Sequence, residues 1–162
     1  MNLIQLMRMK AASGNTVGTD LPFQFSAQGG NGDATPKTTN SYGTTIDTTS
    51  AENNAVTVTQ VYDSEQSPTS YRNGYVNVFF HKLNDFLADG KVTFTADISI
   101  SANPASVTEL HIYIGNKVVK CSFADGTITA AFTNAVVSET KYIEVRCSGC
   151  SFTLSNCKIT DA

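Results

Sequence analysis

Lys91-Val92-Thr93-Phe94-Thr95-Ala96-Asp97-Ile98-Ser99-Ile100-Ser101 decides the fold. Val92, Phe94, Ala96, Ile98 and Ile100 alternate with Thr93, Thr95, Asp97 and Ser99, the period of two that a half-buried strand requires. A helix facing a core would space its apolar residues by three and four instead. Working outward, Leu110, Ile112 and Ile114 alternate with His111 and Tyr113, and a Gly115-Asn116 turn leads into Val119, Cys121 and Phe123. Asp125-Gly126 has the chemistry of a hairpin turn, here leading into Ile128, Ala130 and Phe132. Ile143, Val145 and Cys147 mark a further strand over residues 141–147. In the last strand, Phe152 and Leu154 change phase to Cys157 and Ile159. A one-residue slip at Ser155-Asn156 predicts a β-bulge. Earlier strands are expected over residues 55–62 and 75–80.

Composition agrees with this reading. The 162 residues include 21 Thr, 15 Ser and 13 Asn, while charged residues make up only 15%, against about 25% in a typical globular chain. Chains rich in Thr and poor in helix formers favour strands and turns. The length suffices for one real core, burying about two-thirds of the unfolded surface. Seven or eight short strands with turn signals between them, and no intervening helices, point to an antiparallel β-sandwich. Two short helical stretches are expected, one turn around Leu83, Phe86 and Leu87 and one at the N-terminus through Leu3, Ile4 and Met7.

The chain changes character near residue 55. Residues 1–54 read as an extended arm rich in Gly, Thr, Ser and Asn, and residues 55–162 as the sandwich. Such an arm buries little apolar area by itself, so its order must come from packing on the domain or on a neighbouring chain. Its apolar residues are Leu3, Ile4, Leu6, Met7 and Met9, followed by Phe23 and Phe25, and these are the candidate assembly anchors. Docking on another subunit and folding back over the chain's own sandwich are both open.

Charge and pattern exclude several function classes. A net charge of −3 argues against nucleic acid as a partner, because phosphate contacts need clustered Lys and Arg. No apolar run approaches the roughly 18 residues of a membrane span. In Met1–Lys10 the charges follow the apolar residues, which reads against a secretory signal. No Asn stands in an N-x-S/T sequon.

The chemistry-bearing residues are few. Cys147-Ser148-Gly149-Cys150 has C-x-x-C spacing, with Cys121 and Cys157 elsewhere. Reduced core cysteines, a disulfide between Cys147 and Cys150, and half of a metal site are the three readings. His81 and His111 read as surface histidines, and Asp97 and Glu144 as solvated residues on a sheet face. No motif places a nucleophile beside a base, so the chain is expected to be non-enzymatic. Tyr71, Tyr75 and Tyr113, near Arg72 and Asn73, either fill sheet faces or form a platform on which sugar rings stack.

Two stretches carry a family resemblance. Tyr75-Val76-Asn77-Val78-Phe79-Phe80 followed by Gly90-Lys91-Val92-Thr93-Phe94-Thr95-Ala96-Asp97-Ile98 resembles the G-K-x-Y-T-F-x-A-x-V strand of carbohydrate-binding-module jelly rolls. The ending Cys150-Ser151-Phe152-Thr153-Leu154-Ser155-Asn156-Cys157-Lys158-Ile159 is similar to that family's closing strand, F-x-I-x-N-x-K-L. The resemblance covers about residues 55–162, and such domains occur in tailed-phage virion proteins and on glycoside hydrolases. It implies a jelly roll and a structural role in a virion, on the capsid surface as an auxiliary or decoration protein or on the tail. Other virion proteins in a multi-copy assembly would be its partners. It implies alternatively a glycan-binding module, for which the reading of the side chains offers Tyr71, Arg72, Asn73 and Tyr75 as contacts. The family's sugar platforms use Trp or Tyr, and this chain has no Trp. A structural Ca²⁺ near the end of the last strand, at Asp161, is also implied, and no other cofactor.

Overall fold

The computed structural model describes residues 16–17, 24–27, 35–40, 43–48, 54–61, 75–78, 83–140, 142–147 and 149–161. It is all-β, with two antiparallel sheets. The strands are β1 (Thr16–Val17), β2 (Thr44–Asp47), β3 (Val56–Gln60), β4 (Tyr75–Val78), β5 (Gly90–Ala102), β6 (Glu109–Ile114), β7 (Lys117–Ser122), β8 (Gly126–Ala135), β9 (Ile143–Arg146) and β10 (Ser151–Thr160). Six strands form one sheet in the order β2-β3-β10-β5-β8, with β1 also on β10, and four form the other in the order β4-β9-β6-β7. Among the described residues the only helical element is a 3₁₀ turn at Leu83–Asp85, at the place where a helical turn was expected. The expected N-terminal helix lies outside the described residues.

Alternation explains the core. Val92, Phe94, Ala96 and Ile98 of β5 are buried, as are Leu110, Ile112 and Ile114 of β6, Ile143 and Val145 of β9, and Phe152, Leu154, Cys157 and Ile159 of β10. Residues from both sheets belong to a single apolar cluster. Phe123, just beyond β7, meets Phe152 of β10 edge to face, with centroids 5.9 Å apart and planes at 83°. Leu83 and Leu87 on the 3₁₀ connection add to the same cluster.

β10 is the central strand of the larger sheet. β5 pairs along one of its edges, while β3 and then β1 pair along the other. The phase change read in the sequence is a register shift between Ser155 and Lys158. Asn156 sits there with a φ of 52°, a left-handed conformation that Asn tolerates better than most residues. Its amide donates to Asp97 Oδ2 at 2.8 Å, and Thr127 Oγ1 donates to Asp97 Oδ1 at 2.7 Å. The slip therefore returns Cys157 and Ile159 to the core side, and a polar clasp holds it on the other.

The Asp125-Gly126 expectation needs correction. The dipeptide is not a hairpin turn, because β7 lies in the four-stranded sheet and β8 in the six-stranded one. The connection turns a corner between sheets. Gly126 has a φ of 132°, and the Asp125 carboxylate accepts the Ile100 N–H at 2.7 Å. That carboxylate continues the β5 ladder just where β8 begins, since Gly126 pairs with Ile98. The Gly115-Asn116 turn does close a hairpin, with Ile114 paired to Lys117.

Parts of residues 1–54 are built into this fold. β2 pairs with β3, and β1 pairs with the end of β10. Phe25, Ala27 and Ile46 are buried in the common core. Ala27 N–H donates to the Lys37 carbonyl at 2.7 Å, and Ile46 N–H to the Thr38 carbonyl at 2.8 Å.

Candidate functional site

Among the described residues, the outward side of the four-stranded sheet gathers a connected set of polar and aromatic side chains. Its strands alternate, so Ile112 and Val145 go to the core while His111, Tyr113, Glu144 and Arg146 take the other face. Register then aligns residues from different strands. His111 pairs with Arg146 on one side and Lys120 on the other, and Tyr75 of β4 is also opposite Arg146. In the next row, Tyr113 pairs with Glu144 and Val118, and Asn77 is opposite Glu144.

These side chains form a connected set. The Arg146 guanidinium lies over the Tyr113 ring, 4.3 Å from its centroid, a cation–π arrangement that favours Arg. Arg146 Nε donates to Glu144 Oε1. The His111 and Tyr113 rings are 6.4 Å apart and tilted by 55°. Glu109 Oε2 accepts from Lys120 Nζ at 2.9 Å and lies 3.3 Å from His111 Nε2. The Lys120 ammonium, followed by His111, holds the Glu109 carboxyl below its ordinary range. Burial works against the charge of Arg146, but the Glu144 carboxylate outweighs it and raises the Arg146 pKa.

His111 and Glu144 are corrections to the sequence reading. Each is 8% exposed, whereas both were expected at the solvent surface. Their neighbours account for it: Arg146 Nε donates to Glu144, and His111 lies against the Tyr113 ring and the Glu109 carboxylate. Facing away from the core does not by itself make a side chain solvated. Asp97 behaves more nearly as expected. It stays on the outward side of β5, where the Asn156 amide and then the Thr127 hydroxyl lower its pKa.

Other candidates from the sequence fall elsewhere. Tyr71, Arg72 and Asn73 lie outside the described residues, and Tyr75 is placed only by its register opposite Arg146. Leu3, Ile4, Leu6, Met7, Met9 and Phe23 also lie outside the described residues, as does His81. Phe25 is 3% exposed in the chain's own core. The Asp161 carboxylate accepts the Ala88 N–H at 2.9 Å, joining the end of β10 to the connection before β5. Among the described residues, no three His, Cys, Asp or Glu side chains group closely enough to hold a metal ion. All four cysteines are free thiols. Cys121, on the outermost strand β7, is only partly buried, with its thiol 3.5 Å from the Thr129 carbonyl. Burial raises the Cys121 thiol pKa, and that of Cys157 to about 12.

The two cations Lys120 and Arg146 are balanced by the two carboxylates Glu109 and Glu144. A face of this composition offers a ring, planar donors and acceptors with little net field. No protein-family model matches the sequence, and no curated protein matches it.

Proposed function

We propose that this chain is a non-enzymatic structural virion protein of a bacteriophage, an auxiliary or decoration protein of the capsid or a tail-surface protein, built as a jelly roll. The observation that carries this reading is the strand order. With β3 to β10 counted as eight successive strands, one sheet runs first, eighth, third, sixth and the other second, seventh, fourth, fifth. That is the order two interleaved Greek keys would give in a jelly-roll sandwich, an architecture used in viral capsid and lectin domains, and it supports the reading. The step from architecture to role is an analogy, strengthened by the similarity of the β5 and β10 sequences to jelly rolls found in phage virions. Its partners are other virion proteins in a multi-copy assembly put together in the host cytoplasm. Titratable groups with structural work also favour a non-enzymatic role. Asp89 accepts the Val137 and Ser138 N–H groups, Asp125 the Ile100 N–H, and Asp161 the Ala88 N–H.

Mass spectrometry of density-purified phage particles tests the proposal. Peptides of this chain are expected in the particle fraction, at a constant ratio to the major capsid protein across preparations. Their confinement to the soluble lysate would overturn it.

A second reading, a carbohydrate-binding module for a cell-surface or mucosal glycan, is favoured by the Tyr113–Arg146 stack and the charge-balanced face around it. The two readings are compatible on one displayed domain. Glycan-array binding by the full chain, lost in Tyr113→Ala with the fold intact, is the result expected. Equal binding by both proteins would remove this face from consideration.

A further inference from the structure

β9 ends at Arg146 and β10 begins at Ser151, in different sheets. Cys147-Ser148-Gly149-Cys150 is therefore a corner that carries the chain from the four-stranded sheet to the six-stranded one. Gly149 takes a φ of 70°, the left-handed conformation a tight reversal uses. Both cysteines face inward, 2% and 0% exposed, and each is the first influence on the other's thiol, raising the pKa of Cys147 and lowering that of Cys150. Neither of the other cysteines shares this arrangement. Cys121 meets the Thr129 carbonyl, and Cys157 is enclosed in the core of β10.

The corner is held by side chains from two further strands. Gln60, at the end of β3, accepts the Cys150 N–H on Oε1 at 3.2 Å. The Gln60 Nε2 group is buried with no hydrogen-bond partner among the described residues, a cost borne to keep Cys150 in position. Asn103, just beyond β5, lies with Oδ1 3.3 Å from the Cys150 sulfur. That oxygen also accepts the Val107 N–H at 2.8 Å, so loss of the Cys150 thiol hydrogen leaves no buried acceptor stranded.

We infer that Cys147 and Cys150 are a redox pair that closes to an intrachain disulfide by exchange with a small-molecule disulfide, stapling the corner where the two sheets meet. A four-residue turn brings its ends within about 7 Å, and a disulfide spans Cα separations of about 4.4–6.8 Å. In the exchange, one cysteine thiolate attacks a sulfur of the small disulfide and releases one thiol. The second cysteine then displaces the other half. Two protein thiols and one R–S–S–R give one protein disulfide and two R–SH, with two electrons passing to the small molecule.

The test refolds the full chain from denaturant in glutathione buffers graded from fully reduced to mostly oxidised, followed by acid quench, alkylation and peptide mapping. Refolding gives buried thiols access to the buffer. In the oxidised buffers, Cys121 and Cys157 are expected to be alkylated while Cys147 and Cys150 are not, with the chain lighter by two hydrogens. Trypsin leaves residues 147–158 in one peptide, so chymotryptic cleavage after Phe152 or Leu154 separates Cys157 and assigns the link. Cys121→Ser is expected to oxidise as the parent does, and Cys150→Ser to form no intrachain link. Alkylation of all four cysteines across the whole series would overturn the inference, and so would a link between any other pair in the parent or in Cys121→Ser.

Discussion

Phe152→Ala tests whether the two sheets share one core. Phe152 is fully buried on the inward side of β10 and meets Phe123 edge to face at 5.9 Å. Truncating a buried Phe to Ala costs about 3–5 kcal/mol through lost transfer energy and the cavity left behind. The site cannot collapse easily, because β10 is flanked by β5 along one edge and by β3 along the other. We therefore expect about 4 kcal/mol, a large share of the roughly 5–15 kcal/mol that holds a domain together. At about 3 °C per kcal/mol for this size, the melting temperature should fall by roughly 12 °C. Urea unfolding of the parent, Phe152→Ala, Phe123→Ala and the double variant gives the rest. An edge-to-face pair contributes about 1 kcal/mol beyond area, so the double variant should be less destabilised than the sum by about that amount. A loss below about 1 kcal/mol for Phe152→Ala, or strict additivity in the cycle, would refute the shared core.

Three further outcomes are expected. Arg146→Ala strands the nearly buried Glu144 and should cost about 2 kcal/mol in urea unfolding, most of it recovered by adding Glu144→Gln. Gly115→Ala should destabilise by at least about 1–2 kcal/mol, because Gly115 has a φ of 58° and its Cβ would come 2.5 Å from Thr140 Oγ1; adding Thr140→Ala should relieve only the steric part. Asp97 has a lowered folded-state pKa, from Asn156 first and Thr127 second, so its stabilisation is present at neutral pH and is lost as pH falls through that value. Asp97→Asn should accordingly flatten the pH dependence of the urea midpoint below about pH 4.

The sequence made β5 legible because five inward residues in strict alternation leave no competing period. It also located the bulge in β10, because a slip reverses which residues face inward, and Phe152, Leu154, Cys157 and Ile159 record that reversal. The corner at Asp125-Gly126 was not legible. A strand that enters a hairpin and one that crosses to another sheet carry the same alternation, and the same dipeptide serves both. What decides between them is the Ile100 N–H waiting for a carboxylate, a contact between residues distant in the chain. The candidate face was legible in part. Alternation places Tyr113 outward on its strand and Arg146 outward on another, but only register joins them. His111 and Glu144 were misread because one strand's pattern says which side a residue takes and nothing about how closely its neighbours crowd it.

Immunogold electron microscopy of intact phage particles, with antibody raised against the isolated full-length chain, tests the central claim most directly. The account predicts gold on the particle surface, at the head or at the tail. Particles left unlabelled, with gold only on free protein, would contradict it.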